Sequence, residues 1–464
     1  MKRRMFGKLV GGSVVAVNAG AHAAAAQAVP ASALGPGLTP MGSEIAGNAD
    51  GSIPAWAGGF TTMPAGVGKN EYVPELFPGE QPVMVIDSSN MADHASMLSK
   101  GVMAMMTKYG FKIKVYPTHR TAAAPQYVYD NIAKNNGNAR FTPEDPTGGR
   151  FGFENAYGGV PFPVPATATP LTAGAQIIWN HCCRFLGFTF ISTTSAYTMS
   201  SGEMSWAETV AISTKYPYYN PNHSLSAFGG RLELALAKYV GPPNLLGQQL
   251  EVWYYTNPYK HPQQAWELLN GEGRVRRAPE VSFDTPSSQS NGVAGYDEYY
   301  GFNGSLERYD WKYLGKQEMY IPYNNNGLYA ADPKTAHMAH FLDPELVRWE
   351  KHRCWVVEAT LHPGERNVLA RRRYYIDEDT WTIGLGDCYD AHDVLFKVNI
   401  MYNYCRPDLP AVTFGQNTIH NLQSDDYASV AGYWNQGTRN SLVFVEDFQN
   451  SVFDPSAMAA SAQY

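Results

Sequence analysis

The chain is poor in cysteine, poor in positive charge and without a long hydrophobic run. Its 464 residues hold five cysteines, namely Cys182, Cys183, Cys354, Cys388 and Cys405, too few and odd in number for a disulfide framework. Adjacent Cys182 and Cys183 do not readily pair, and no spacing matches a zinc site, so buried free thiols are expected. Cys354 and Cys388 would bridge only if their strands were neighbours. The formal net charge is −7. Setting aside the first 26 residues, with four basic residues and no acid, leaves 31 Lys and Arg against 42 Asp and Glu, a balance near −11. Nucleic acid is excluded as a partner on this ground, because neutralising phosphates needs clustered Lys and Arg. No Gly-rich phosphate loop, G-x-S-x-G elbow, H-E-x-x-H pair or His/Cys cluster is present, and no βαβ alternation. A nucleotide fold is disfavoured, and no cofactor or metal is expected.

What is present begins with an export signal over residues 1–26. Lys2, Arg3 and Arg4 precede a small apolar run, Leu9 to Ala19, and an alanine-rich stretch, Ala23 to Ala26. That run is shorter than the roughly 20 apolar residues of a membrane span. Arg3-Arg4-Met5-Phe6-Gly7-Lys8 also resembles a twin-arginine signal, with Gly7 where leucine is preferred, and both export routes stay open. The mature chain is expected in a bacterial periplasm. Residues 27–80 read as an extended Gly/Pro-rich arm lying on the body, with Trp56 as its anchor. Within it, Gly47-Asn48-Ala49-Asp50-Gly51 lacks the acids of a calcium loop and reads as a tight turn.

Aromatics make up 13% of the chain, with 30 tyrosines, a composition suited to strands and cavity walls. The stretch Asp343 to Tyr402 organises the rest. Asp343 as N-cap and Pro344 in the first turn predict a helix running towards Trp349. Four runs of period two follow, carried by Trp355 to Leu361, Val368 to Ile376, Trp381 to Leu385 and Val394 to Tyr402. Alternation with short turns between makes this an antiparallel meander. Further strands are expected at Phe111 to Val115, Leu250 to Tyr254 and Met319 to Tyr323. Hairpins are expected across Ser200-Ser201-Gly202 and Asn270-Gly271-Glu272-Gly273, and helices around Met97 to Met106 and Thr172 to Leu186. The fold class that results is mainly β (α+β). It is one large curved antiparallel half-barrel of roughly ten strands over residues 81–425, with helices on its concave side and a C-terminal extension over 426–464.

The segments YPTHRTAAAPQYVYDN (Tyr116 to Asn131), AYGGVPFPVP (Ala156 to Pro165), RVRRAP (Arg274 to Pro279), RYDWKYLGKQEMYIPYN (Arg308 to Asn324) and ELVRWEKHRCWVVEAT (Glu345 to Thr360) resemble signature blocks of one family. It is a proteobacterial family of exported proteins of unknown function, described as outer-membrane lipoprotein-sorting-protein-like. The resemblance runs from about Leu38 to Leu422. It implies a relation to the LolA/LolB carriers, whose fold is an incomplete, strongly curved antiparallel barrel closed by helices around an apolar cavity. It also implies association with an RND-type inner-membrane exporter and an outer-membrane β-barrel. No catalytic residues come with it, and the arm and inserts of this longer chain have no counterpart in the small carriers.

A bent, unclosed sheet offers a concave apolar face. Burying about 15 methylenes there at about 0.8 kcal/mol each gives on the order of 12 kcal/mol gross. The expected function is therefore a periplasmic carrier or chaperone for a lipid-like or lipidated cargo, and the expectation requires an interior with room for a hydrocarbon tail. Trp179, Trp253, Trp266, Trp355 and Trp381 are the candidates for the cavity wall, with core packing as the alternative for each. Arg274 and Arg276 are candidates for an anionic headgroup, or form with Arg277 a charged edge that discourages strand pairing. Arg371, Arg372 and Arg373 pose the same choice, with Asp377 to Asp379 near enough in sequence to pair with them. His119 and Arg120 either sit at a cavity mouth or hold a turn. Two other readings stand beside the carrier. One is a ligand-free adaptor of an exporter complex; the other is a hydrolase, for which His352, Glu358, His392 and Asp393 would have to assemble in space.

Overall fold

A computed structural model of the chain describes residues 32–142, 150–279, 281–287, 290–434 and 441–461, and the expected export signal over residues 1–26 lies outside them. The strands among these residues are β1 (Met84–Ile86), β2 (Ile113–Val115), β3 (Arg140–Phe141), β4 (Phe153–Glu154), β5 (Thr189–Ser200), β6 (Glu203–Lys215), β7 (Arg231–Gly241), β8 (Gln249–Tyr255), β9 (Gln264–Leu268), β10 (Arg276–Arg277), β11 (Tyr309–Pro322), β12 (Trp349–Leu361), β13 (Arg371–Asp377), β14 (Ile383–Tyr389), β15 (Leu395–Arg406), β16 (Ala411–Asn421), β17 (Asp426–Gly432) and β18 (Leu442–Phe444). The helices are α1 (Lys100–Tyr109), α2 (Gln126–Asn135), α3 (Pro170–Cys182) and the short α4 (Pro333–Ala336) and α5 (Pro455–Ser461).

One sheet runs β11-β12-β13-β14-β15-β16-β17-β5-β6-β7-β8-β9-β10, with β18 flanking β5 and the β1–β2 pair touching the start of β12. Neighbours along this path are antiparallel, and β11 and β10 do not pair with each other, so the sheet is not closed. The meander forms as its alternation requires, β12 through β15 pairing in order. Chain order breaks at one joint: β17 pairs with β5 and stitches the later half of the sheet to the earlier one.

Helix α3 shows how far the sheet bends. Its Gly174 lies on β11, where an added Cβ would stand 2.3 Å from the Trp311 carbonyl oxygen. Trp179 and Cys182, near its other end, share a small cavity with Glu233 of β7 and Tyr254 of β8. In a flat sheet β11 and β7 would lie about 43 Å apart, at roughly 4.8 Å per strand. A 13-residue helix spans only about 20 Å. The sheet must therefore wrap around α3, a half-barrel with the helix inside.

The central strands are covered on both faces. Residues 290–308 lie with α3 on the concave side, while α1 lies on the convex one. There Asp387 of β14 accepts hydrogen bonds from Ser99 Oγ and from the amides of Lys100 and Gly101 at 2.8–2.9 Å, which sets a carboxylate against the positive end of α1. All seven residues of β14 are buried, as are ten of the eleven in β16.

Several expectations change. No helix follows Asp343. Its carboxylate accepts from the Glu345 amide at 3.0 Å in a tight turn, and β12 already begins at Trp349, too soon for a helical segment to complete. Only α3 of the two longer expected helices is on the concave side, because α1 is recruited to Asp387. The stretch beyond residue 425 supplies β17 and β18 to the main sheet. All five cysteines are free, and β13 separates Cys354 from Cys388. The arm lies on the body: Trp56 is buried, and its indole N–H donates to the Ala122 carbonyl at 2.9 Å. Gly47 to Gly51 enters a turn closed by Ser52 and Lys351 on Asp50.

Candidate functional site: the filled concave face

The hollow that the bent sheet creates is occupied by the chain itself. Residues 290–308 include a short 3-10 turn, Tyr296–Glu298, and run across the concave face as a stopper. Tyr300, at φ 58°, sets its ring against Phe414 with centroids 4.5 Å apart. Phe302 packs edge-on to Trp311, 4.8 Å away. Two buried ion pairs fix the stopper to the sheet. Arg372 Nη2 of β13 meets Asp297 Oδ2 at 2.5 Å, and Lys397 Nζ of β15 meets Glu298 Oε2 at 2.6 Å. At the other wall, Asn303 Nδ2 donates to the Tyr254 hydroxyl at 2.9 Å.

Little space is left. A cavity of about 30 Å³ lies among Phe190, Ile212, Tyr300, Phe414 and Tyr433, and one of about 50 Å³ lies between α3 and β7–β8. These are one to two water volumes at about 30 Å³ each. The room for a hydrocarbon tail that the carrier reading requires is thus not open while the stopper is seated. A groove of about 260 Å³ opens at the unclosed side of the sheet, walled by Pro262, Ala265, Ala278, Val281 and Phe283. It shares the wall residues Pro258, Gln263, Gly304 and Ser305 with the 50 Å³ cavity, so the two lie side by side. A larger cavity, about 550 Å³, lies elsewhere, beside the end of α2. Its wall residues Asn135 and Tyr157 are already committed to the carbonyls of Gly159, Val160 and Asn220.

The concave face also carries charge. Arg184, just past α3, donates to the His181 carbonyl at 2.6 Å, while its Nε and Nη2 have no hydrogen-bond partner among the described residues. Burial lifts the Glu233 carboxyl to about 7, with Arg184 and the Tyr216 hydroxyl pulling the other way. Glu208 of β6 is 4% exposed, and burial alone pushes it up to about 8. A carboxyl in such a site prefers to keep its proton at neutral pH.

The sequence candidates separate into distinct places. Trp179 is on α3, donates to the Arg150 carbonyl at 3.1 Å and lines the 50 Å³ cavity. Trp253 and Trp266 pair at 4.6 Å on the opposite face of the sheet, with Leu234, Leu236 and Met458 of α5. Trp355 and Trp381 stack at 5.7 Å near the β13–β14 turn, where Trp381 Nε1 donates to the Met41 carbonyl at 3.0 Å. His119 stacks on Phe77 and meets Glu80 at 3.0 Å. Arg120 is buried, gripping Asp379 at 2.6 Å and the carbonyls of Glu44 and Ile45, so it ties the arm down. Arg274 is exposed, and Arg276 pairs with Glu267 at 2.8 Å on the edge. The arginine run splits by strand alternation: Arg371 and Arg373 pair with Glu358, and Arg372 turns inward to Asp297. Asp377 to Asp379 take other partners, namely Arg120, Lys316, His352 and Arg353. The four hydrolase candidates are not gathered into one site: Glu358 and Asp393 meet at Arg371, while His352 is buried elsewhere, beside Glu350.

His352, Asp377 and Asp379 place ligand atoms within 4.8 Å of one another. The arrangement is a charge network rather than a cation site, because the Arg120 guanidinium occupies both oxygens of Asp379. Burial opposes charging His352, but its hydrogen bond to Glu350 and the Asp377 carboxylate prevail and raise its pKa. Burial also lifts Asp377, to about 6, against the pull of His352.

Fold and site together define a class: an unclosed antiparallel half-barrel wrapped about one helix and stoppered by its own chain. The chain belongs to the DUF1329 family, proteins of unknown function, whose profile matches residues 85–459. It is 35% identical over 449 residues to the uncharacterized protein PA3922 of Pseudomonas aeruginosa, covering 94% of each chain. Among solved structures, a DUF1329 family protein from Desulfovibrio piger superposes with a TM-score of 0.43 at 15% identity, over 62% of this chain and 99% of that one. A LolA superfamily protein from Nitrosomonas europaea gives 0.35 at 10% identity, over 61% and 97%. Superpositions this loose carry no conclusion about a ligand. Among the described residues no helix is long and apolar enough to cross a membrane.

Proposed function

We propose that the protein is a periplasmic carrier or chaperone for a lipid-like or lipidated cargo, taken up at the open side of the half-barrel when residues 290–308 move aside. The observation that carries this reading is that a groove at the open side of the sheet, walled in part by Pro262, Ala265, Val281 and Phe283, borders the cavity under the stopper. In this reading the cargo passes between an inner-membrane exporter of the RND type and the outer membrane.

Isolation from the native periplasm followed by mass spectrometry of extracted lipids tests the proposal, together with titration of a fluorescent fatty acid. Stoichiometric lipid or saturable binding is the expected result. The filled interior favours a second reading, an adaptor that binds protein partners without a ligand. A protein that is isolated empty and leaves the fatty acid unbound would establish that alternative and remove the first.

A further inference from the structure

The floor of the hollow is not uniformly apolar. Across β13, β14 and β15, Arg372, Cys388 and Lys397 stand opposite one another, and so do Tyr374, Gly386 and Asn399. Arg372 and Lys397 therefore share one face two strands apart, about 10 Å at the usual strand spacing. Both are buried, at 0% and 6% side-chain exposure. Asp297 and Glu298, consecutive in the stopper, neutralise one cation each. The match is incomplete: Arg372 Nη1, Asp297 Oδ1, Glu298 Oε1, Asn399 Oδ1 and Asn417 Oδ1 are all buried and have no hydrogen-bond partner among the described residues. A half-satisfied polar network inside a protein is costly. Away from these atoms, Phe190, Ile212, Phe414 and Leu442 stand around the other small cavity, among Ser192, Thr194 and Thr413.

We propose that Arg372 and Lys397 are the seat of an anionic headgroup, and that Asp297 and Glu298 are its built-in substitute. The inference rests on the carrier reading and narrows its cargo to an amphiphile with a phosphate or carboxylate head. When the stopper leaves, it withdraws two carboxylates from two buried cations. A neutral apolar ligand would leave those charges unpaired at a large desolvation cost, whereas an anionic head supplies the lost partner. The tail then lies towards Phe414 and the groove at the open side.

Binding of three oleoyl amphiphiles below their micelle concentrations tests this: lysophosphatidic acid, oleate and uncharged monoolein, read by displacement of a fluorescent probe. The wild-type protein is expected to bind one or both anions at least tenfold tighter than monoolein, and the leading anion identifies the head as phosphate or carboxylate. Asp297→Asn with Glu298→Gln is expected to tighten the leading anion a further tenfold and widen its lead. Adding Arg372→Gln and Lys397→Gln leaves no lone buried charge and is expected to erase the lead while monoolein binding persists. Equal affinity for all three probes in the wild type and the double variant overturns the headgroup seat and leaves the carrier reading standing. A lead that survives in the quadruple variant does the same. Failure of every variant to bind any probe overturns both.

Discussion

Glu208 gives the sharpest quantitative test of how the concave face is built. Its carboxyl titrates near 4.5 in the unfolded chain and is pushed up to about 8 by burial in the folded one. Between those values the folded state holds a proton that the unfolded state has lost. Stability therefore falls as pH rises from about 4.5, and the loss levels off above about 8. Every tenfold difference in proton affinity between the two states is worth about 1.36 kcal/mol, so at pH 7.5 the penalty is about 4 kcal/mol. Glu208→Gln keeps the shape without the charge and removes that penalty. With an unfolding entropy of about 2.1 cal/mol/K per residue, a chain of this size has about 1 kcal/mol/K, so the variant should melt about 4 °C higher at pH 7.5. Thermal unfolding followed by circular dichroism from pH 4 to 9 measures this. The two curves should coincide below pH 4.5 and separate through pH 8. Curves that stay superimposed at pH 7.5 would refute the assignment of a buried, proton-holding carboxyl.

Three further outcomes follow from packing. Tyr300→Ala joins the space under the stopper to the 30 Å³ cavity it borders. It should destabilise by about 2 kcal/mol and raise fatty-acid affinity at least tenfold in fluorescence titration; unchanged affinity would mean that the stopper does not compete for that space. Arg120→Ala strands Asp379 in the interior and should cost about 3–5 kcal/mol in denaturant unfolding, with faster proteolysis of the arm; a loss under about 1 kcal/mol would show the network to be dispensable. Gly174→Ala presses a methyl group onto the Trp311 carbonyl and should cost about 1–3 kcal/mol, whereas a neutral result would mean that α3 sits farther from β11.

The β half of the architecture was legible wherever one face of a strand differs from the other. The alternation in Trp355 to Leu361 and Val394 to Tyr402 placed β12 and β15 within a few residues. The capping pattern at Asp343 misled, because Asp-Pro serves a turn as readily as a helix start, and only the strand beginning at Trp349 decides between them. The site was far less legible. Residues 290–308 have no period to read, and the ion pair between Asp297 and Arg372 joins residues 75 apart in sequence. A hint did exist in Arg371-Arg372-Arg373, since three consecutive residues in a strand cannot face one way, and the middle one had to point opposite its neighbours. Trp253 and Trp266 carried no comparable hint: which face they take depends on the register of β8 and β9, and a one-residue slip reverses it.

The joint between β5 and β17 has a consequence for how the protein is made. Tyr427 of β17 pairs with Met199 of β5, so the early hairpins wait with a bare flank while more than two hundred residues are still being delivered. Ordering so distant a pair is slow, and an unsatisfied strand flank recruits other chains. During synthesis the nascent polypeptide must accordingly be guarded until its last long strand arrives, and truncation before residue 426 should yield aggregates rather than a smaller folded protein.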